Sequence, residues 1–270
     1  MELGFKPDWA LPPHAEAFMS VRSGGVSKAP MDTLNLGDHV GDDPEAVRLN
    51  RGRLCAHLGI ATAFLHQTHG EGVQHLSAAS VGGPRLSGDI AITTTRGIAA
   101  TIMVADCLPI LFVHQRLPLV AAAHAGWRGL AGMGTAGGQD GIGVIAQTLR
   151  VMADAADQTP AELADALTVW LGPAIGPMAF EVGEDVRGAF LSKNPANADA
   201  FVPQATPGKY LADLPLIARR MLAGYGVTAV YGNDSTERWC TVGQPNRYFS
   251  HRRDQHKGGS GRLAAMVWLK

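Results

Sequence analysis

The sequence predicts an α/β fold in a single domain spanning residues 1–270. Short β-rich runs alternate with stretches of helical periodicity. No linker and no repeat of 20–50 residues interrupts that alternation. Hydrophobic residues make up 46% of the chain and charged residues 17%, enough to bury a large core. A chain of 270 residues has room for one large domain or two small ones, and the missing linker favours one. The 33 glycines and 16 prolines are scattered, as tight turns between short elements require.

Residues 15–40 read as an extended segment, a glycine-rich loop (Arg22-Ser-Gly-Gly-Val-Ser27) and then Leu34-Asn-Leu-Gly37. A helix follows. Asp43 can cap its free amides, Pro44 suits a first turn that needs no N–H donor, and Gly59 sits just past its end. Val47, Leu54 and Leu58 recur within it at near-helical spacing. Residues 61–125 read as strands, at 64–69, 89–95, 98–104, 110–114 and 117–123. The last is a continuous apolar run bounded by turns, the pattern of a buried strand. Ile142, Ile145, Leu149 and Met152 give residues 137–157 a helical period, weakened at its start by glycines. A strand at 168–171 runs into Gly172-Pro-Ala-Ile-Gly-Pro177. Helices are expected at 184–191 and 211–222, with strands at 229–231 and 263–269.

Composition narrows the function. A net charge of −1 and a pI near 6.8 argue against a nucleic-acid binder, which carries a basic surplus. Three cysteines without a Cys-x-x-Cys pair do not make a disulfide framework, and reduced thiols suit the cytoplasm. The N-terminus lacks the basic and apolar regions of a signal peptide. The most apolar stretch, 98–113, is broken by Asp106 and Pro109 and is too short to span a bilayer. A cytoplasmic protein acting on small molecules is expected, without membrane or nucleic-acid partners.

Three residues in small-residue turns carry the chemistry: His69 in His-Gln-Thr-His-Gly, Cys107 in Val-Ala-Asp-Cys-Leu-Pro, and His124 in Ala-His-Ala-Gly-Trp-Arg-Gly. Two imidazoles and a thiolate suit zinc, and three protein ligands leave a fourth position open, as in catalytic sites. The separations of 38 and 17 residues are no compact zinc motif, so convergence has to come from the fold. The same residues allow a metal-free reading, with Cys107 as nucleophile and His124 as its base. Copper is a third reading, although the ten histidines lack the His-x-His pairs of a multicopper oxidase. Glycine-rich turns holding Arg22, Arg128, Arg252 and Arg253 suit a phosphate, or the arginines pair with carboxylates. Trp127 reads as core, with base stacking as its alternative.

The motifs taken together resemble one family. They are Thr33-Leu-Asn-Leu-Gly37 with Val40-Gly-Asp-Asp-Pro44, Gln67-Thr-His-Gly70, Ala105-Asp-Cys-Leu-Pro109, His124-Ala-Gly-Trp-Arg-Gly129, Gly172-Pro-Ala-Ile-Gly-Pro177 with Phe180-Glu-Val182, and Ser250-His-Arg-Arg-Asp254. They resemble the laccase-domain proteins, also called polyphenol oxidases and usually named multifunctional purine nucleoside phosphorylases. The likeness runs from about residue 18 to the end. It implies a four-layer α-β-β-α sandwich with mixed sheets, and zinc held by His69, Cys107 and His124. It implies phosphorolysis of adenosine, guanosine, inosine and methylthioadenosine, and deamination of adenosine, with nucleoside and phosphate as small-molecule partners. Zinc lowers the pKa of a bound water to roughly 7, which would arm it against C6 of adenine. For phosphate the candidates are Arg22, Asn35, Arg128 and Arg253. For proton transfer they are Asp89, Asp106 and His251. A bacterial branch is similar to amidases that remove a misplaced serine from a muramic-acid nucleotide precursor. Two positions depart from the family pattern: Thr68 replaces a valine, and the loop at 255–261 is longer than usual.

Overall fold

Two mixed sheets lie face to face because three seven-residue strands, Ile98–Val104, Leu108–His114 and Leu263–Leu269, are buried at every position. A strand covered on both sides needs no polar face. The computed structural model describes residues 2–133 and 141–270. In chain order its elements are β1 (Gly4–Phe5), β2 (Ala15–Ser20), α1 (Pro44–Leu58), β3 (Ala61–Thr62), β4 (Val73–His75), β5 (Ile90–Thr93), β6 (Ile98–Val104), β7 (Leu108–His114), β8 (Val120–Ala125), α2 (Trp127–Ala131), α3 (Val144–Ala156), α4 (Pro160–Ala166), β9 (Leu167–Leu171), β10 (Glu181–Gly183), α5 (Glu184–Leu191), β11 (Phe201–Pro203), β12 (Lys209–Ala212), α6 (Leu214–Gly224), β13 (Val230–Gly232), α7 (His251–Asp254) and β14 (Leu263–Leu269).

The first sheet has the order β1-β2-β14-β6-β3 and the second β13-β9-β7-β8-β5-β4. Among the described strands only β3–β6, β4–β5 and β13–β9 pair in parallel. A small antiparallel sheet, β10-β12-β11, lies apart. Alternation along β6 and β14 separates two cores. Ala100, Ile102, Val104, Ala265 and Val267 meet Leu111, Val113, Val120 and Ala122 of the second sheet. The opposite set, Ala99, Met103, Ala264, Met266 and Trp268, packs with Leu54 of α1. Beyond the second sheet, Ile110, Phe112, Ala121 and Val169 join Ile145 and Met152 of α3, Leu163 of α4 and Ile217 of α6. The layers therefore run α-β-β-α, as the resemblance implies.

Helix α1 obeys its local signals: the Asp43 side chain accepts from the Glu45 amide, and Gly59 closes the helix at φ 66°. Helix α5 and strand β14 match their expected bounds. The expected strand at 64–69 is instead a loop, with a single bridge between His66 and Ser87 and no ladder of its own. Its apolar members, Phe64 and Leu65, pack singly under neighbouring elements without forming a ladder. The strand expected at 117–123 is shifted to 120–125 and so contains His124. The helix expected from 211 begins at Leu214, because residues 209–212 pair with β10 and β11. The helix expected from 137 is described from Val144, and its expected start lies outside the described residues. Helices α2 and α4 and the small sheet were not anticipated. No helix among the described residues is long and apolar enough to cross a membrane.

Candidate metal centre and its cleft

Each of the three residues comes from a different structural context. Cys107 lies in the turn between β6 and β7, where the chain passes from the first sheet to the second. The preceding residue, Asp106, sits at φ 89°. Its carboxylate accepts from the Thr241 hydroxyl and the Arg252 amide, both at 2.6 Å, and so pins the turn to the C-terminal segments. His124 is the fifth residue of β8, opposite Pro109 of β7. His69 occupies the loop before β4 at φ 62°. Left-handed backbone is uncommon for such residues and concentrates at functional sites.

Asp89 is fully buried and joins these parts. Its carboxylate accepts from the amides of Thr68, His69 and Gly70, from the Thr68 hydroxyl, and from Nδ1 of His124 at 2.8 Å. One side chain thus holds the His69 loop by its backbone and the His124 ring by its edge. With Nδ1–H donated to Asp89, Nε2 of His124 is the atom left for a metal. Gln67 adds a second clamp: its side-chain amide accepts from the Met103 amide at 2.6 Å and donates to the Met103 carbonyl at 2.7 Å, tying the loop to the end of β6.

The donor atoms of His69, Cys107 and His124 all lie within 4.8 Å of one another. The two imidazoles meet edge to face with centroids 4.7 Å apart. Space is kept for a shared ion: a Cβ at Gly126 would stand 3.0 Å from the His69 ring and 3.2 Å from Cys107 Sγ. Two nitrogens and a thiolate, with Asp89 fixing the His124 ring and the His69 backbone, fit a first-row divalent ion such as zinc.

Charge agrees with this geometry. Burial opposes ionisation of Asp89, but the bonds from His124, Gly70 and Thr68 outweigh it and hold the carboxyl at about 2. Burial would raise the Cys107 thiol, yet His124 and His69 pull it down to about 6. Burial would lower His124, and Cys107 with Asp89 raise it to about 9. Between those values the metal-free site holds a thiolate beside an imidazolium.

The centre opens on a cleft of about 350 Å³, within the range of small-ligand sites. Trp127, Ile175, Phe180 and Leu214 give it an apolar side. His39, Asp106, His251, Arg252 and Arg262 give it a polar one. Trp127 both packs on the core and faces the cleft, so the two readings of that ring coexist.

Of the residues suggested for a phosphate, Arg252 lines the cleft, its Nη1 donating to the carbonyls of Ala179 and Glu181, while Asn35, Arg22, Arg253 and Arg128 lie outside its lining. Asn35 is buried, and its amide is occupied by Gly37, Asp42 and the Arg262 backbone. Arg22 donates to Asp32 and Pro245 in a separate hollow. Arg253 pairs with Asp254 and donates to the carbonyls of Thr241, Val242 and Tyr248. Arg128 is exposed and stacks over the Trp127 ring at 4.4 Å. Glycine-rich turns drew attention to these arginines, but their own carbonyl, carboxylate and ring contacts explain them. Of the proton-transfer candidates, Asp106 and His251 line the cleft, and Asp89 lies behind the histidines. Sequence reasoning missed Arg262, Gln67 and His39. Arg262 was visible only as the end of the lengthened loop.

Comparison with known proteins agrees in fold and sequence. A model of the "Multi-copper polyphenol oxidoreductase laccase" family matches residues 16–270. A purine nucleoside phosphorylase of Pseudomonas aeruginosa is 43% identical over the full length of both chains. The purine nucleoside phosphorylase YfiH of Escherichia coli is 40% identical over 97% of each. Among solved structures, a Neisseria meningitidis protein superposes with a TM-score of 0.85 at 40% identity, covering 100% of each chain. YlmD of Geobacillus stearothermophilus gives 0.82 at 30% identity, covering 96% of this chain and 93% of its own. A family match over most of the chain and full-length relatives at this identity place it: the protein belongs to the laccase-domain family, whose curated members similar to it are named purine nucleoside phosphorylases.

Proposed function

We propose that this protein is a zinc-dependent purine nucleoside phosphorylase of the cytoplasm, acting on adenosine, inosine, guanosine and methylthioadenosine, with adenosine deamination as a second activity. The observation that supports this most is the meeting of His69, Cys107 and His124 at the wall of a cleft with an aromatic side. The names of the full-length relatives support the same reading.

His69, Cys107 and His124 would hold the zinc, and Asp89 and Gln67 keep them in register. When bound, zinc supplies a Lewis acid at the cleft wall. Trp127 and Phe180 offer apolar ring faces to a purine. In phosphorolysis a phosphate oxygen bonds to C1′ of the ribose while the C1′–N9 bond breaks. The electron pair leaves on the purine, which takes up one proton. We assign that proton to His251, whose exposed ring lines the cleft. The carboxylate of Asp106 is already occupied by Thr241 and Arg252, so it serves the turn.

Chromatography of adenosine incubated with the protein, with and without phosphate, tests this beside Cys107→Ala. Phosphate-dependent adenine and ribose 1-phosphate, or phosphate-independent inosine, are expected from the wild type and lost in the variant. Full activity and full zinc content in Cys107→Ala would sink the assignment.

One observation favours a second reading. Cys107 Sγ lies within 4.8 Å of a His124 ring nitrogen, and Asp89 orients that ring, the nucleophile–base–orienter order of a cysteine amidase. That reading expects hydrolysis of a serine-bearing muramic-acid nucleotide, surviving chelation and lost on thiol alkylation. Copper binding with oxygen consumption on phenols would instead favour the oxidase reading.

A further inference from the structure

Arg262 is a partly buried arginine at the cleft that contains the metal centre. Among the described residues no carboxylate pairs with it. Its Nη1 donates to the carbonyls of Ser260 and Gly261, and its Nε and Nη2 donate to no described protein group. A guanidinium presents five N–H donors in a rigid fork suited to carboxylate or phosphate oxygens. Its neighbours in the cleft wall are His39, Asp106 and Cys107. The Asp106 carboxylate is occupied elsewhere, and the Cys107 thiolate is a ligand of the metal in the reading above.

The fold builds a place for this side chain. The Asn35 side-chain oxygen accepts from the Arg262 amide at 2.8 Å, while Asn35 is fully buried and anchored to Gly37 and Asp42. Gly37 lies beneath the arginine stem: a Cβ there would come 2.6 Å from Arg262 Cγ. The Leu34-Asn-Leu-Gly37 motif therefore acts through Arg262, as its seat, and the Asn35 side chain is not itself exposed to a ligand. Of the positions that the sequence suggested for phosphate, Asn35, Arg22 and Arg253 have their polar atoms in use outside the cleft, Arg128 is exposed and stacks on Trp127, and Arg252 lines the cleft with Nη1 on the carbonyls of Ala179 and Glu181. Arg262 has donors to spare inside it.

We propose that Arg262 is the anion anchor of this cleft, binding inorganic phosphate for the phosphorolysis described above. The inference rests on that reading for its ligand, and on the unpaired guanidinium for its position. Held there, phosphate faces the same cavity as the purine-sized apolar wall. Arg262 keeps its charge throughout, taking no proton from the reaction.

The test uses the zinc-loaded full chain and two variants. Arg262→Met keeps the stem against Gly37 and the backbone bond to Asn35. Arg262→Lys keeps the charge but not the fork. Zinc content and thermal midpoint establish that each is folded. Calorimetric titration with inorganic phosphate and steady-state kinetics with adenosine are then read together. Arg262→Met should weaken phosphate binding and raise KM for phosphate by about tenfold or more, with KM for adenosine changed by less than about twofold. Arg262→Lys should fall between them. Phosphate binding that is unchanged in a folded Arg262→Met overturns the anchor, whether or not the wild type is a phosphorylase. Phosphate binding that depends on Arg262 in a protein unable to cleave any nucleoside upholds the anchor and overturns the phosphorylase reading.

Discussion

Asp89 reaches the two histidines by different routes, and that makes it the residue on which the centre depends. It touches His124 at the ring and His69 only through backbone amides. Asp89→Asn keeps the shape but loses the charge, and should weaken metal binding by about 10- to 100-fold, read by competition with a chromophoric chelator. The same carboxyl gives an acid signature in the metal-free protein. Its folded value of about 2 lies below the ordinary 3.8. A depressed carboxyl stabilises the fold above its unfolded value, and that contribution is lost as pH falls toward the folded one. It amounts to about 2 kcal/mol, fully present above roughly pH 4. Urea midpoints at pH 5, 4 and 3 should fall more steeply for the wild type than for Asp89→Asn. Cys107 and His124 make a second prediction. Between their values of about 6 and about 9 the thiol is ionised and the imidazole is protonated. Metal must displace one proton from His124, so its affinity should rise about tenfold per pH unit across that window. Calorimetry in buffers of different ionisation enthalpy should record release of one proton at neutral pH. A pH-independent affinity would contradict the ion pair.

At the scale of elements, the β8–α2 junction decides whether the ion has room. Gly126 leads out of β8 into the five-residue α2, and a Cβ there would meet both His69 and Cys107. Gly126→Ala should lose metal without losing the fold, because its φ of −65° is one that alanine adopts readily. Zinc content should drop by about tenfold or more while far-ultraviolet circular dichroism stays unchanged. Elements also show where local sequence suffices. The α1 cap, its first-turn proline and its closing glycine act over neighbouring residues, so they were legible. Residues 64–69 have a strand-like composition, but Gln67 is held by Met103 and His69 by Asp89, partners 36 and 20 residues away. Composition carries no record of such partners, so the loop was misread as a strand.

Across the whole molecule, the packing of the two sheets fixes the distance between β6, which leads into Cys107, and β8, which carries His124. Ile102 sits fully buried in that interface. Ile102→Ala should destabilise the protein by about 2–5 kcal/mol, read from denaturant midpoints. Zinc binding to the fraction still folded should be near normal, since Asp89 and Gln67, not Ile102, hold the ligands in place. An unchanged midpoint would mean that the interface between the sheets does not carry the stability.

The fold class, most element positions and the residue types of the centre are legible in the chain alone. Hydrophobic period, caps and motif turns are properties of neighbouring residues, and His69, Cys107 and His124 each announce themselves in a small-residue turn. Which of these meet is set by long-range packing. It brought a loop, an inter-sheet turn and a strand within 4.8 Å. It set Asp89 behind them, and it turned Arg262 into the cleft while Arg22 and Arg253 found carbonyl and carboxylate partners elsewhere. An arginine's role depends on whether its donors find partners. Those partners are brought by sheet pairing and packing between segments as far apart as Asn35 and Arg262.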